Sequence, residues 1–146
     1  MLKNSDELNG MREAGKLAAE VLEMITEYVK PGISTGELDE ICFKYITDVQ
    51  KAIPANVGYR GFKKTLCTSI NQVICHGIPD TNRILKSGDI MNIDVTVIKD
   101  GWHGDTSKMF LIGKAQSHNE RLVRVTQECI SKGIEAARPG ARLGDI

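Results

Sequence analysis

The segment from Ile90 to Ser107 constrains this chain more than any other. Between Ile90 and Ile98, Met91, Ile93, Val95 and Val97 alternate with Asn92, Asp94 and Thr96. Successive side chains of a strand point to opposite faces, so this period of two predicts a strand with one apolar and one polar face. Asp100-Gly101 follows, a strong signal for a tight turn between antiparallel strands. Trp102 to Ile112 is then the returning strand. With a two-residue loop, Lys99 pairs with Trp102, Thr96 with Asp105, and Asp94 with Ser107. Asp94 and Asp105 then lie on one face as diagonal neighbours, roughly 7 Å apart at Cβ. A four-residue loop keeps this parity and a three-residue loop breaks it.

Two carboxylates this close repel each other and are costly when half buried without partners. Divalent cations resolve the conflict, because carboxylates bridge paired ions well. Oxygen donors suit manganese, cobalt, iron or magnesium better than soft metals. Asn92, Thr96 and Ser107 share the face and can orient such ligands. The alternative is two solvated surface aspartates, and the residues alone leave both readings open.

The flanks supply helices. Asn4 and Glu7 resemble a capping box. Leu8, Met11, Ala14, Ala18, Val21, Leu22, Ile25 and Val29 then recur at helical spacing, stopped by Pro31 and Gly32. Ser34 and Glu37 cap a second helix, with Leu38, Ile41, Cys42, Tyr45, Ile46 and Val49 on one face and an end before Ile53-Pro54. A glycine- and aromatic-containing loop follows. Thr65 to Ile70 and Val73 to His76 look like strands around an Asn71-Gln72 turn. Ser117 and Glu120 cap a third helix, with Leu122, Val125, Cys129, Ile130, Ile134 and Ala137 on one face. Helix, helix, strands, helix is an α+β order, an antiparallel sheet covered by helices.

His76 stands beside a glycine–proline loop, where a histidine either faces a cleft or serves as a satisfied structural group. In a cleft it can donate to developing negative charge. Tyr59, Phe62 and Cys67 either line an apolar pocket suited to a sulfur-containing side chain or belong to the core. His103, two residues before Asp105, is a ligand or a neighbour of one. Arg60, Lys63 and Lys64 read as a solvated loop more readily than as an RNA contact.

The 146 residues carry 19 Lys plus Arg against 19 Asp plus Glu. That balance gives no field favouring nucleic acid or anionic membrane. No apolar run approaches the ~20 residues of a membrane span. The first thirty residues lack the apolar block of a signal peptide. None of Cys42, Cys67, Cys75 and Cys129 forms a C-x-x-C pair, so reduced thiols and a cytoplasmic location are expected.

One internal echo stands out. Lys30-Pro31-Gly32, then Gly36 and Asp39-Glu40-Ile41, is repeated in outline by Arg138-Pro139-Gly140 and Gly144-Asp145-Ile146. If the echo is a true repeat, residues 1–146 are an N-terminal portion of one catalytic domain that stops as a second repeat begins; the alternative is two chance occurrences of a common Pro-Gly helix exit, and the residues leave both open.

With these residues in view, the chain resembles the type I methionine aminopeptidases. The resemblance rests on Gly58-Tyr59-Arg60-Gly61-Phe62, Cys67-Thr68-Ser69-Ile70-Asn71 and Val73-Ile74-Cys75-His76-Gly77-Ile78-Pro79. It continues through Gly88-Asp89-Ile90, Asn92-Ile93-Asp94, Asp100-Gly101 and Gly104-Asp105-Thr106-Ser107. It implies the N-terminal half of a pita-bread fold, two similar α+β halves about a pseudo-twofold axis. Asp94 and Asp105 match metal-binding aspartates, the second bridging two divalent ions (cobalt, manganese, iron or zinc). His76 matches a substrate-contacting histidine that stabilises the tetrahedral intermediate. Tyr59, Phe62 and Cys67 match the methionine pocket, and Asn71 and Val73 a monovalent cation site.

The implied activity is removal of the initiator methionine from nascent proteins, preferring a small second residue, through a metal-bridged water. The implied enzyme is a monomer, with a ribosome contact left open. One histidine and two glutamates that complete the family's metal set lie in its second half, so the 146 residues alone are expected to be inactive. Lys63 and Thr65 depart from the usual proline and serine. The rival readings are an X-Pro aminopeptidase or prolidase relative, and a non-catalytic pita-bread binding module.

Overall fold

The computed structural model describes residues 4–146. The chain forms two compact units, one running to Lys114 and the other Ala115–Ile146.

The first unit opens with α1 (Ser5–Ile25), capped by the Asn4 side chain, which accepts from the Glu7 N–H at 2.9 Å. Ala14, Leu17, Ala18, Val21, Leu22 and Ile25 form its buried stripe. The helix ends several residues before Pro31, although the apolar spacing continues to Val29. At its C-cap the Thr26 hydroxyl donates to the Leu22 carbonyl at 2.7 Å, and the chain passes into turns. Then comes α2 (Thr35–Lys44), with the reciprocal Ser34–Glu37 capping box complete. A wider turn at Tyr45–Val49 carries the chain out of it.

Four strands follow: β1 (Ile53–Pro54), β2 (Leu66–Ile70), β3 (Ile90–Lys99) and β4 (Trp102–Leu111). All pairings are antiparallel and all centre on β3. Along one edge β4 pairs with its whole length. Along the other, β2 takes Met91 to Val95 and β1 takes Val97 and Ile98, end to end. Pro54 is tolerated there because β1 is a two-residue edge strand.

Met91, Ile93, Val95 and Val97 are fully buried and share the core with α1, α2 and Leu66, Ile70 and Phe110 of the other strands. Close approach of α1 depends on glycine. A Cβ on Gly104 of β4 would collide with the Ala14 carbonyl, and one on Gly10 with the Trp102 indole. The opposite face of the sheet carries Cys67 and Ser69 on β2, and Asn92, Asp94 and Thr96 on β3. From β4 it takes His103, Asp105 and Ser107.

Val73 to His76 do not form the expected strand. Asn71 and His76 both adopt positive φ (53° and 55°), which breaks an extended run at each end. The chain meets β2 instead at the two ends of this segment: the Val73 N–H donates to the Ile70 carbonyl at 3.1 Å, and just past His76 the Thr68 N–H donates to the Gly77 carbonyl at 2.7 Å and the Gly77 N–H to the Ser69 hydroxyl at 3.1 Å. Gly77 fits because a Cβ would run into the Thr68 carbonyl.

The second unit contains α3 (Ser117–Ala136), followed by a short turn at Leu143–Asp145. Its N-cap is Gln116, not Ser117, and no side chain closes it. The extended Gln116 backbone does so through its carbonyl, which accepts from the Asn119 and Glu120 N–H groups.

Candidate metal centre and its cavity

The hairpin turn fixes the site. Asp100 and Gly101 both have positive φ (49° and 83°), the geometry a two-residue loop of this type requires. The register is therefore Lys99 opposite Trp102, Thr96 opposite Asp105, and Asp94 opposite Ser107. Asp94 and Asp105 share a face, as the alternation demands. Cys67 lies across from Asp94 on the other side, so a row Cys67–Asp94–Ser107 crosses three strands.

The two carboxylates sense each other. The Asp94 carboxyl is held above its ordinary range, first by partial burial, then by the negative charge of Asp105 and a hydrogen-bond contact with its carboxyl. His76 pulls the other way. The Cys67 thiol is pushed up to about 11 by burial, with Asp94 the next cause and Cys75 and Asp105 after it. Asp94, Asp105, His76 and Cys67 thus occupy one neighbourhood, reached from three strands and a loop.

Among the described residues, no three His, Cys, Asp or Glu side chains gather closely enough to hold an ion. The pair is chemically suited to a divalent cation: hard oxygen donors on one face, repelling each other, with His76 the one group that draws the Asp94 carboxyl the other way among the causes of its shift. It supplies part of a coordination set and not the whole.

Beside the pair lies a cavity of about 620 Å³, lined by Tyr59, Phe62, Cys67 and His76 together with Asn56 and Ile78. The four pocket candidates from the sequence are thereby brought together. The wall from Asn56 to Phe62 is a loop shaped by left-handed residues: Gly58 and Gly61 (φ 87° and 84°) and Arg60 (φ 48°). Its Gly58 N–H donates to the Phe62 carbonyl at 2.7 Å, and the Arg60 guanidinium stacks over the Tyr59 ring at 5.5 Å. Lys64 turns instead toward Asp39, at 3.8 Å. Ile78 was not legible as a lining residue. It sits two positions after a left-handed histidine, inside the Gly77–Pro79 loop whose glycine and proline mark the bend but not which side chain it turns inward.

Asn71 closes the turn after β2. Its side chain accepts from the Ile90 N–H at 3.0 Å and donates to Asp89 at 2.9 Å, and its N–H donates to the Ile90 carbonyl. Val73 follows in the same turn, donating to the Ile70 carbonyl at 3.1 Å. His103 stands on the carboxylate face opposite Ile98, one residue from the turn, and is exposed.

Residues 9–146 match metallopeptidase family M24. The chain is 59% identical over 145 residues to the methionine aminopeptidase of Salmonella typhimurium, covering 99% of this chain and 55% of that protein. The crystal structure of methionine aminopeptidase from Rickettsia prowazekii superposes with a TM-score of 0.92 at 52% identity, over 99% of this chain and 58% of that one. That from Thermotoga maritima gives 0.93 at 32% identity, over 99% and 57%. The chain spans about half the length of the relatives it matches.

Proposed function

This chain belongs to metallopeptidase family M24 and carries about half of a pita-bread fold, and from that premise we propose that it is the N-terminal portion of a methionine aminopeptidase. The reaction is hydrolysis of the first peptide bond of a chain beginning with methionine, with a small second residue preferred. The single observation that carries this reading is the placement of Asp94 and Asp105 on one sheet face, next to a cavity that gathers His76, Tyr59, Phe62 and Cys67.

Each residue then has a task. Tyr59, Phe62 and Cys67 accept the methionine side chain, for which aromatic rings and sulfur are favourable neighbours. The high pKa of Cys67 keeps it a neutral thiol, a wall and not a nucleophile. His76 donates a hydrogen bond to the carbonyl oxygen as charge develops there. Asp94 and Asp105 would hold divalent ions of the cobalt, manganese, iron or zinc type. When bound, such ions would polarise the peptide carbonyl and acidify water. A monovalent cation held by backbone groups of Asn71 and Val73 belongs to the same proposal.

Two carboxylates are too few protein donors for the family's full metal set, so we propose that the remaining ligands belong to the other half of a full-length enzyme, and the 146 residues alone are expected to be inactive. The working enzyme is proposed to be a cytoplasmic monomer acting on nascent chains. Among the described residues no helix is long and apolar enough to cross a membrane.

The test is peptide cleavage in the presence of manganese or cobalt, by this chain alone and within a polypeptide of its relatives' length. Release of methionine from Met-Ala-Ser by the longer protein supports the reading. Cleavage of X-Pro peptides instead would favour a prolidase-like relative, and cleavage of neither a binding module.

A further inference from the structure

Asp39 is an acidic residue in the interior with no place in the reaction above. It stands on α2, only 6% exposed. One carboxylate oxygen, Oδ1, accepts from the Thr65 N–H at 2.7 Å and from the Leu66 N–H at 3.3 Å; the other faces the Lys64 ammonium at 3.8 Å. Burial raises the Asp39 carboxyl, against the pull of those hydrogen bonds and of Lys64. A half-compensated buried carboxylate costs stability compared with an apolar residue of like size, so its presence calls for a task beyond packing.

The task follows from where Thr65 and Leu66 lie. The cavity wall Asn56, Tyr59, Arg60, Gly61 and Phe62 is a single loop strung between β1 and β2. At its start the Ala55 N–H donates to the Thr96 carbonyl of β3 at 3.0 Å. At its end stand Thr65 and Leu66, two N–H groups held by Asp39, with Cys67 of the cavity next in the chain. Inside the loop the hydrogen bonds are local, such as Phe62 to Tyr59 and Gly58 to Phe62. The loop's hydrogen-bonded shape is therefore set within itself; its middle lies beside α2 at Val57, and its far end is tied to α2 by Asp39.

We propose that Asp39 is a positioning residue, which fixes the far end of the Asn56–Phe62 wall against β2 and so sets the dimensions of the cavity for the methionine side chain. It acts through the Thr65 and Leu66 amides and touches no substrate. The statement about methionine rests on the function proposed above; the anchoring of the wall does not.

The experiment uses the 146-residue chain and two readouts by nuclear magnetic resonance: hydrogen exchange of the Thr65 and Leu66 amides relative to β3 amides, and binding of L-methionine amide. Asp39→Ala is expected to speed the two amides at least tenfold relative to β3 and to weaken binding about tenfold. Asp39→Asn keeps an acceptor at Oδ1 and should restore both to within about threefold. Leu38→Ala, a neighbouring core truncation, should lower stability while leaving the relative exchange and the affinity nearly unchanged. If Asp39→Ala does not fold, Asp39→Glu, which keeps the charge but displaces the oxygen by one methylene, should show the same two losses. Unchanged relative exchange in Asp39→Ala or Asp39→Glu overturns the proposal, as does an equal affinity loss in Leu38→Ala. Failure of the wild-type chain to bind the amide would count against the methionine pocket, while the exchange result would still decide the anchor.

Discussion

Neighbouring residues of β3 live under opposite conditions. Ile93 and Val95 have no exposed surface and lie within the core that α1 and α2 share with the sheet. Asp94, between them, points the other way, into a half-exposed space where burial and the Asp105 carboxylate both raise its carboxyl and His76 opposes them. One face of the sheet lowers its free energy by packing. The other carries a conflict that the described residues do not resolve. Residues on the first face are there because the fold needs them. Asp94 and Asp105 sit on the second without a packing reason, which is what the proposed metal site would account for.

The contrast can be broken from either side. The largest loss should come from Ile93→Ala, which removes a fully buried side chain and leaves a cavity, at about 2–5 kcal/mol. Gly104→Val should cost about 2–3 kcal/mol by overpacking, because its Cβ would meet the Ala14 carbonyl and push α1 from the sheet. Urea unfolding followed by circular dichroism measures both. Asp94→Asn should have the opposite sign: relief of a like-charge pair stabilises the metal-free protein by about 0.2–1 kcal/mol at pH 7. A destabilised Asp94→Asn would mean that the carboxylate is structural.

The smallest effect sharpens the same point through pH. The Asp94 carboxyl titrates above its unfolded value in the folded protein. Its contribution is therefore fully favourable below the unfolded pKa, about 3.9, and is lost as pH rises through the folded one. The advantage of Asp94→Asn over the wild type should accordingly be greatest near neutral pH and shrink as pH falls toward 4. Paired unfolding curves in chelator would show it. Glu37, whose carboxyl is held low by the Ser34 hydroxyl, shifts the other way but does so in both proteins and cancels.

The hairpin was legible because two signals agreed. The alternation from Ile90 to Ile98 gave the faces, and Asp100-Gly101 gave the loop length that decides whether Asp94 and Asp105 share one. The capping pairs Asn4–Glu7 and Ser34–Glu37 were readable for the same reason, a local rule with a local partner. What failed was long-range. Val73, Ile74 and Cys75 read as strand by composition, but Ile74 is 95% exposed and the run touches β2 only in the turn at Val73 and, just beyond it, at Gly77. Apolar spacing carried α1 on to Val29, though the helix stops at Ile25. Pro54 hid a strand too short to have a pattern. Asp39 appeared only within the internal echo and gave no hint of this contact, because an aspartate on a helix looks solvated until the strand it holds is in place. The likeness to a known family singled out His76, Tyr59, Phe62 and Cys67, which line one cavity; periodicity alone would have left them among several candidates.

Whether Asp94 and Asp105 form the half-site of a metal centre can be asked of the chain directly. Manganese(II) broadens amide resonances near its binding site even when binding is weak. Titrated into the 146-residue protein, it should first erase the signals of Asp94 to Thr96, Gly104 to Ser107 and His76, and Asp105→Asn should abolish that pattern. Broadening that begins at other acidic residues, or that persists unchanged in Asp105→Asn, would contradict a metal site on this face of the sheet.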